Sequence, residues 1–316
     1  MIEVERLSKF YAGKAAIRDV SFRIAKGEIV GLLGLNGAGK STILKILGSY
    51  LTPSGGKASV NGIDVAKHPD EVRKIIGFLP DVPPLYNEMT VFGYLQYVAR
   101  LKLVPEADVL KRVGEAAERT NLTSVMNARL GELSHGFRQR AGIAQAIVHK
   151  PQVLIFDEPI NGLDPVQIVE MRDLIKSLKG DHTLVLSSHI LSEITRTCDR
   201  MIIMDHGTLV AEGSEANLAK KMTEQMRVLL TLDCLNDDLT RRLREIEAVI
   251  TVDSTDGFEG HKLLTITTKR DVRPELAKAV IESGAGLVGM QREGGGLEGL
   301  FMQLINSANA ENGRNA

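Results

Sequence analysis

The chain has 316 residues, 43% hydrophobic and 25% charged, with 39 basic against 40 acidic side chains for a net charge of −1. That length supplies a full core and suggests two domains, in a composition ordinary for a globular protein and unlike a disordered or fibrous one. The charge balance argues against a chain-wide affinity for nucleic acid or anionic membrane, and no apolar run approaches the roughly 18 residues needed to span a bilayer.

The first ten residues, MIEVERLSKF, alternate apolar with charged positions and carry no signal-peptide pattern. Ile2 to Phe10 and Val20 to Ile24 alternate as half-buried strands do, with turns at Gly13 and Lys26-Gly27. An antiparallel β layer is therefore expected, with Tyr11 at the tip of one of its turns. Ile29 to Leu33 reads as a buried strand. It gives way to Gly34-Leu35-Asn36-Gly37-Ala38-Gly39-Lys40-Ser41-Thr42, after which Ile43 to Leu47 turns to helical periodicity. Strand, glycine-rich loop and helix in that order form the context a P-loop requires. The glycines let successive N–H groups turn inward as an anion nest, which the helix N-terminus extends. Lys40 would reach the outer phosphates and the Ser41 hydroxyl would ligate Mg²⁺. Gly34, Asn36, Gly37, Ala38, Gly39, Lys40, Ser41 and Thr42 are thus the expected nucleoside-triphosphate contacts.

Pro53-Ser54-Gly55-Gly56 and Asn61-Gly62 punctuate further short strands. From Thr90, an N-cap, the pattern turns helical over Val91 to Leu103, and Pro105 opens a second helix to about Arg119. Leu133-Ser134-His135-Gly136-Phe137-Arg138-Gln139-Arg140 precedes a helix to about His149. Val153 to Phe156 is an unbroken apolar run, typical of a parallel strand buried on both faces. Asp157-Glu158 follow at its carboxyl end, where open α/β sheets place ligands. Asp164-Pro165 starts another helix, and Thr183 to Leu186 is another buried strand, ending in Ser187-Ser188-His189. Met201 to Met204 and Thr208 to Val210 complete this part. Strands alternating with helices imply a mainly parallel sheet.

Past a short helix near Lys221 the order changes to β (Arg227 to Leu232), helix (Leu239, Leu243, Ile246), β (Val249 to Val252), β (Leu263 to Thr267), helix (Asp271 to Ser283) and β (Leu287 to Met290). That β-α-β-β-α-β order predicts a small α+β ferredoxin-like domain. Leu297, Leu300, Phe301, Leu304 and Ile305 form a last amphipathic stripe. The two cysteines, Cys198 and Cys234, lack metal-ligand spacing and read as reduced thiols.

With the P-loop, Leu133–Arg140, Asp157-Glu158 and His189 in this order, the first 215 or so residues resemble the ATP-binding subunit of an ABC transporter. The resemblance implies a P-loop NTPase cassette over residues 1–215, with a helical subdomain at about 88–150. It leaves residues 220–306 as an accessory or dimerisation domain and 307–316 as a disordered tail. It implies MgATP hydrolysis, with Asp157 holding Mg²⁺, Glu158 polarising the attacking water and His189 beside the γ-phosphate. Tyr11 takes the place of the aromatic that stacks on adenine, against the alternative of a tyrosine packed in a β turn. Ser134 and Gly136 take the places that, in a family signature usually written LSGGQ, contact the nucleotide held by the opposite subunit. His135 here replaces its first glycine, and Asn161-Gly162-Leu163-Asp164 resembles the D-loop at the same interface. Completing the pocket therefore needs a second copy or a homologous cassette. Asp81 stands where the family normally has a metal-sensing glutamine, and it reads either as a working variant or as a brake on turnover; we favour the variant.

IGFLPD…PLYNEMTVFGYL, RQR, SSHIL and LEGLFMQL are similar to an export-type subfamily that includes gliding-motility, copper-maturation, drug and polysaccharide exporters. Tyr86, Phe92, Tyr94 and Tyr97, near Asp81, could line a groove for an integral membrane subunit or simply pack a helical core. The resemblance implies a cytoplasmic protein held at the inner face of the membrane by that subunit, with no nucleic-acid partner. A soluble, non-transport cassette ATPase acting at DNA or the ribosome is the alternative. The C-terminal domain reads as dimerisation rather than ligand sensing.

Overall fold

The computed structural model describes residues 1–221, 226–256 and 261–293. The chain forms two compact units, Met1–Ser214 and Glu215–Ala316.

In the first unit, β1 (Ile2–Tyr11) and β2 (Lys14–Ile24) pair antiparallel and lead to β3 (Ile29–Leu33) and α1 (Lys40–Leu47). Then come β4 (Gly55–Val60), β5 (Ile63–Asp64), α2 (Pro69–Ile75), β6 (Ile76–Leu79), α3 (Val91–Leu101), α4 (Glu106–Arg119) and α5 (His135–Ile147). The rest is β7 (Val153–Phe156), α6 (Pro165–Ser177), β8 (Thr183–Ser188), α7 (Leu191–Thr197), β9 (Arg200–Asp205) and β10 (Thr208–Gly213). One sheet is antiparallel, in the order β2-β1-β4-β5; the other has the order β10-β9-β3-β8-β7-β6 and is parallel except for its edge strand β10. Every residue of β3, β7 and β8 is buried, because a parallel strand covered on both faces has no wet side. By contrast β2 alternates, and Ile17, Val20, Phe22 and Ile24 reach the core that Ile43, Leu44, Ile46 and Leu47 of α1 share with the parallel sheet.

Thr90 caps α3 by accepting the Gly93 N–H at 3.1 Å. The second helix of this block begins at Glu106, with Pro105 as its N-cap rather than its first turn. α5 lies directly on β6. A Cβ added to Gly77 would meet the Ala146 carbonyl oxygen at 2.0 Å, and one on Gly142 would meet Leu79 Cδ1 at 2.5 Å. Helix and strand backbones therefore touch at Gly77, and at Gly142 the Leu79 side chain lies against the helix backbone, so both positions need glycine. Two helices escaped the sequence patterning, α2 and α7, each seven residues long.

The second unit opens with α8 (Glu215–Lys221), then β11 (Met226–Leu232), α9 (Asp237–Glu245), β12 (Val249–Asp256), β13 (Lys262–Thr268), α10 (Arg273–Glu282) and β14 (Leu287–Glu293). Its sheet is antiparallel, in the order β12-β13-β11-β14, which is the ferredoxin-like arrangement. Val228, Leu230, Leu232, Leu264 and Ile266 bury one sheet face against Leu239, Leu243, Leu276 and Val280 of the two helices. Ile246, expected on the helix face of Leu239 and Leu243, stands just past the end of α9 and is half-buried. Gly284, at φ +77°, stops α10. The stripe of Leu297, Leu300, Phe301, Leu304 and Ile305 and the tail 307–316 lie outside the described residues. Among the described residues, no helix is long and apolar enough to cross a membrane.

Candidate functional site

The carboxyl ends of β3, β6, β7 and β8 lie side by side, and the chain leaves each of them into one cleft of about 620 Å³. Its walls are Ala16, Asp81, Glu158, Asn161 and His189, together with the loop and helix start Asn36–Thr42. The loop after β3 turns at Gly37 (φ +86°) and Gly39 (φ +96°), and Gly39 also has no room for a side chain, since its Cβ would stand 2.6 Å from Ile17. Gly34, beneath the loop, has the same constraint against the Met204 carbonyl, at 2.5 Å.

Lys40, the first residue of α1, is only 5% exposed. Its Nζ donates to the Gly34 carbonyl at 2.8 Å and lies 3.3 Å from Glu158 Oε1. A buried ammonium held among loop carbonyls and a carboxylate suits a ligand carrying several negative charges. The other Glu158 oxygen, Oε2, is 3.0 Å from His189 Nδ1. One carboxylate thus touches both the P-loop lysine and the imidazole at the end of β8.

Asp157 faces a different set of groups, which is why two adjacent carboxylates can end a buried strand. It is 3% exposed, and its Oδ1 accepts the Ser41 hydroxyl at 3.0 Å and the Ser187 hydroxyl at 2.7 Å. Ser187 Oγ also accepts the Glu158 N–H at 2.8 Å. Ser187 therefore fixes both acidic residues, a role that motif matching missed. The signal for it was register: Phe156 pairs with Leu186 across β7 and β8, which puts residues 157 and 187 opposite each other. The hydroxyl of Ser41 and the carboxylate of Asp157 form an oxygen donor pair suited to Mg²⁺, which takes one or two carboxylates and completes its shell with phosphate and water. Among the described residues, no cluster of three or more His, Cys, Asp or Glu could hold a metal without such added oxygens.

Other expected residues stand apart. Tyr11 ends β1, is 48% exposed, and has the Lys9 ammonium 5.4 Å from its ring centroid. It is not packed into a core, and it is not among the cleft walls. Ser134 and Gly136 also lie outside those walls: Ser134 caps α5 by accepting the Phe137 N–H, and Gly136 abuts Gln167. Of the four aromatics near Asp81, Tyr94 is buried and donates to the Pro84 carbonyl. Tyr86, Phe92 and Tyr97 remain at least a third exposed, with Tyr86 5.7 Å from Tyr97 and edge-on to Tyr94 at 6.0 Å. Cys198 and Cys234 are both free, and burial pushes the Cys198 thiol far up.

Residues 17–161 match the ABC transporter family. The chain is 40% identical to the ABC transporter ATP-binding protein NatA of Bacillus subtilis over 205 residues, which is 64% of this chain and 83% of that protein. It is 29% identical to the bacitracin transport ATP-binding protein BcrA of Bacillus licheniformis over 96% of this chain and 97% of that one. Among solved structures, a dimeric ATP-binding cassette, MJ0796, in a post-hydrolysis state with ADP and Pi, superposes with a TM-score of 0.62 at 26% identity. That match covers 68% of this chain and 98% of the cassette.

Proposed function

The chain belongs to the ATP-binding proteins of ABC transporters, and on that premise we propose that two copies, or one copy and a homologous cassette, close head to tail on MgATP to drive a separate membrane-spanning subunit. It is an ATPase, turning ATP and water into ADP and phosphate. Catalysis of this kind is mostly positioning and charge stabilisation.

Lys40 and the N–H groups of the loop hold the phosphates. The Lys40 ammonium sits between loop carbonyls and Glu158, so phosphates that draw it toward them free the Glu158 carboxylate to orient the attacking water. His189 holds that carboxylate from its other oxygen. Mg²⁺, when bound, offsets the charge that builds on the phosphate oxygens. Ser41 and Asp157 would hold it. Asp81 adds a further oxygen from the cleft wall, as a working variant that lacks the N–H of an amide. Tyr11 offers an exposed ring for the adenine, and Ser134 and Gly136, away from their own cleft, are free to close the cleft of the other subunit.

The observation that carries this reading is the double contact of Glu158 with Lys40 and His189 at the mouth of the glycine-rich loop. The likeness to BcrA, a bacitracin transport protein, supports a transport role, and with it we propose export and attachment to the inner face of the membrane through a partner; the soluble alternative gains no support. The C-terminal unit is proposed to assist pairing. Glu158→Gln tests the assignment. ATP binding, read by a fluorescent analogue, should survive, and phosphate release should fall about a hundredfold or more. Undiminished turnover would remove Glu158 from this role.

A further inference from the structure

We propose that His135 is a positioning residue for hydrolysis, tying the turn that begins at Glu158 to the start of α5. The inference rests on the paired-cassette reading above.

The turn is tight. Glu158 has φ +48° and Gly162 φ +73°, and the Asn161 N–H closes back onto the Glu158 carbonyl at 3.1 Å. A non-glycine residue held in the left-handed region keeps that shape only if its surroundings enforce it. One enforcing group is the Ser187 hydroxyl at the Glu158 N–H. The other comes from outside the cleft: His135 Nε2 lies 3.1 Å from the Asn161 carbonyl oxygen. A carbonyl can only accept, so the imidazole carries its hydrogen on Nε2 and donates. The ring also lies over Gly162, where an added Cβ would meet Nε2 at 3.2 Å.

His135 is the first residue of α5, directly after the Ser134 cap. Its neighbour Gly136 seats the same helix start against α6, where a Cβ would meet Gln167 Oε1 at 2.8 Å. Asn161 in turn is a wall of the nucleotide cleft. One imidazole therefore links a cleft of its own subunit to the surface that subunit offers its twin. A shift of the 158–161 turn on filling one cleft reaches Ser134 through His135, which couples the two clefts of a pair.

The test compares full-length wild type, His135→Ala and His135→Gln in ATP titrations of hydrolysis, with fluorescent-nucleotide binding and thermal melting alongside. Gln is chosen because its amide can still donate to the Asn161 carbonyl. His135→Ala should lower kcat about tenfold and bring the Hill coefficient from about 2 toward 1, while nucleotide affinity and melting stay close to wild type. His135→Gln should recover most of the rate and the cooperativity. Wild-type kcat and cooperativity in His135→Ala would overturn the proposal, and so would a folded His135→Gln no better than Ala. A wild type that hydrolyses without cooperativity at any protein concentration would sink the paired reading and this one together. A cooperative wild type with an indifferent His135→Ala would sink this one alone.

Discussion

At the scale of single residues, the cleft is built from side chains that each answer to two partners. Glu158 meets Lys40 and His189, Asp157 meets Ser41 and Ser187, and Ser187 meets both acids. Both members of the Glu158–Lys40, Glu158–His189 and Asp157–Ser41 pairs were legible in the sequence, because these five residues belong to motifs with a stated chemistry. Ser187 was not, since its role depends on which strands are neighbours and in what register. A second group hidden from the sequence is His149, at the amino end of β6. Its Nε2 bonds the Ile76 carbonyl at 2.9 Å, and burial first, with the Lys102 cation second, pushes its imidazole down to about 4. The unfolded chain, with an ordinary value of 6.5, takes up that proton first. Stability from this residue is therefore complete above about pH 6.5 and drains away as pH falls toward 4. By about pH 5 the loss should reach about 2 kcal/mol. Urea melts at neutral pH and at about pH 5 check this: His149→Gln, which keeps a donor for the Ile76 carbonyl, should show a correspondingly smaller acid-induced drop.

At the scale of elements, the long and strongly patterned segments were readable and the short ones were not. β3 and β7 announced themselves as unbroken apolar runs, and α3 by its cap and apolar spacing. α2 and α7 span about two turns each, too few for a 3.6-residue period to repeat against the noise of composition. The P-loop was legible because its chemistry demands a strand before it and a helix after it, so three local patterns had to agree. Nothing in the sequence revealed how closely α5 rests on β6, because Gly77 and Gly142 look like any other glycines until their neighbours are known. The α3 start offers a direct test of element-level reasoning. Thr90→Ala removes the acceptor for the Gly93 N–H and should cost about 1 kcal/mol, seen as a melting temperature lowered by a few degrees with nucleotide affinity unchanged.

At the scale of the whole molecule, all walls of the cleft belong to the first compact unit. A chain ended after Ser214 should bind a fluorescent ATP analogue with an affinity within about threefold of the full-length protein. Equilibrium titration of the two proteins checks it. The ferredoxin-like order of the second unit was readable from alternation alone, whereas the cargo was not, because nucleotide motifs carry the same chemistry whatever is moved. The bare contact of Gly77 with Ala146 has a mechanical consequence here. A close-packed contact near the tail of α5 resists compression, so a tilt of the 13-residue helix would pivot there. With about 18 Å of arm between Ala146 and Ser134, a tilt of only about 5° would swing the far tip by about 1.5 Å. That sweep is comparable to the difference between a hydrogen bond made and one broken.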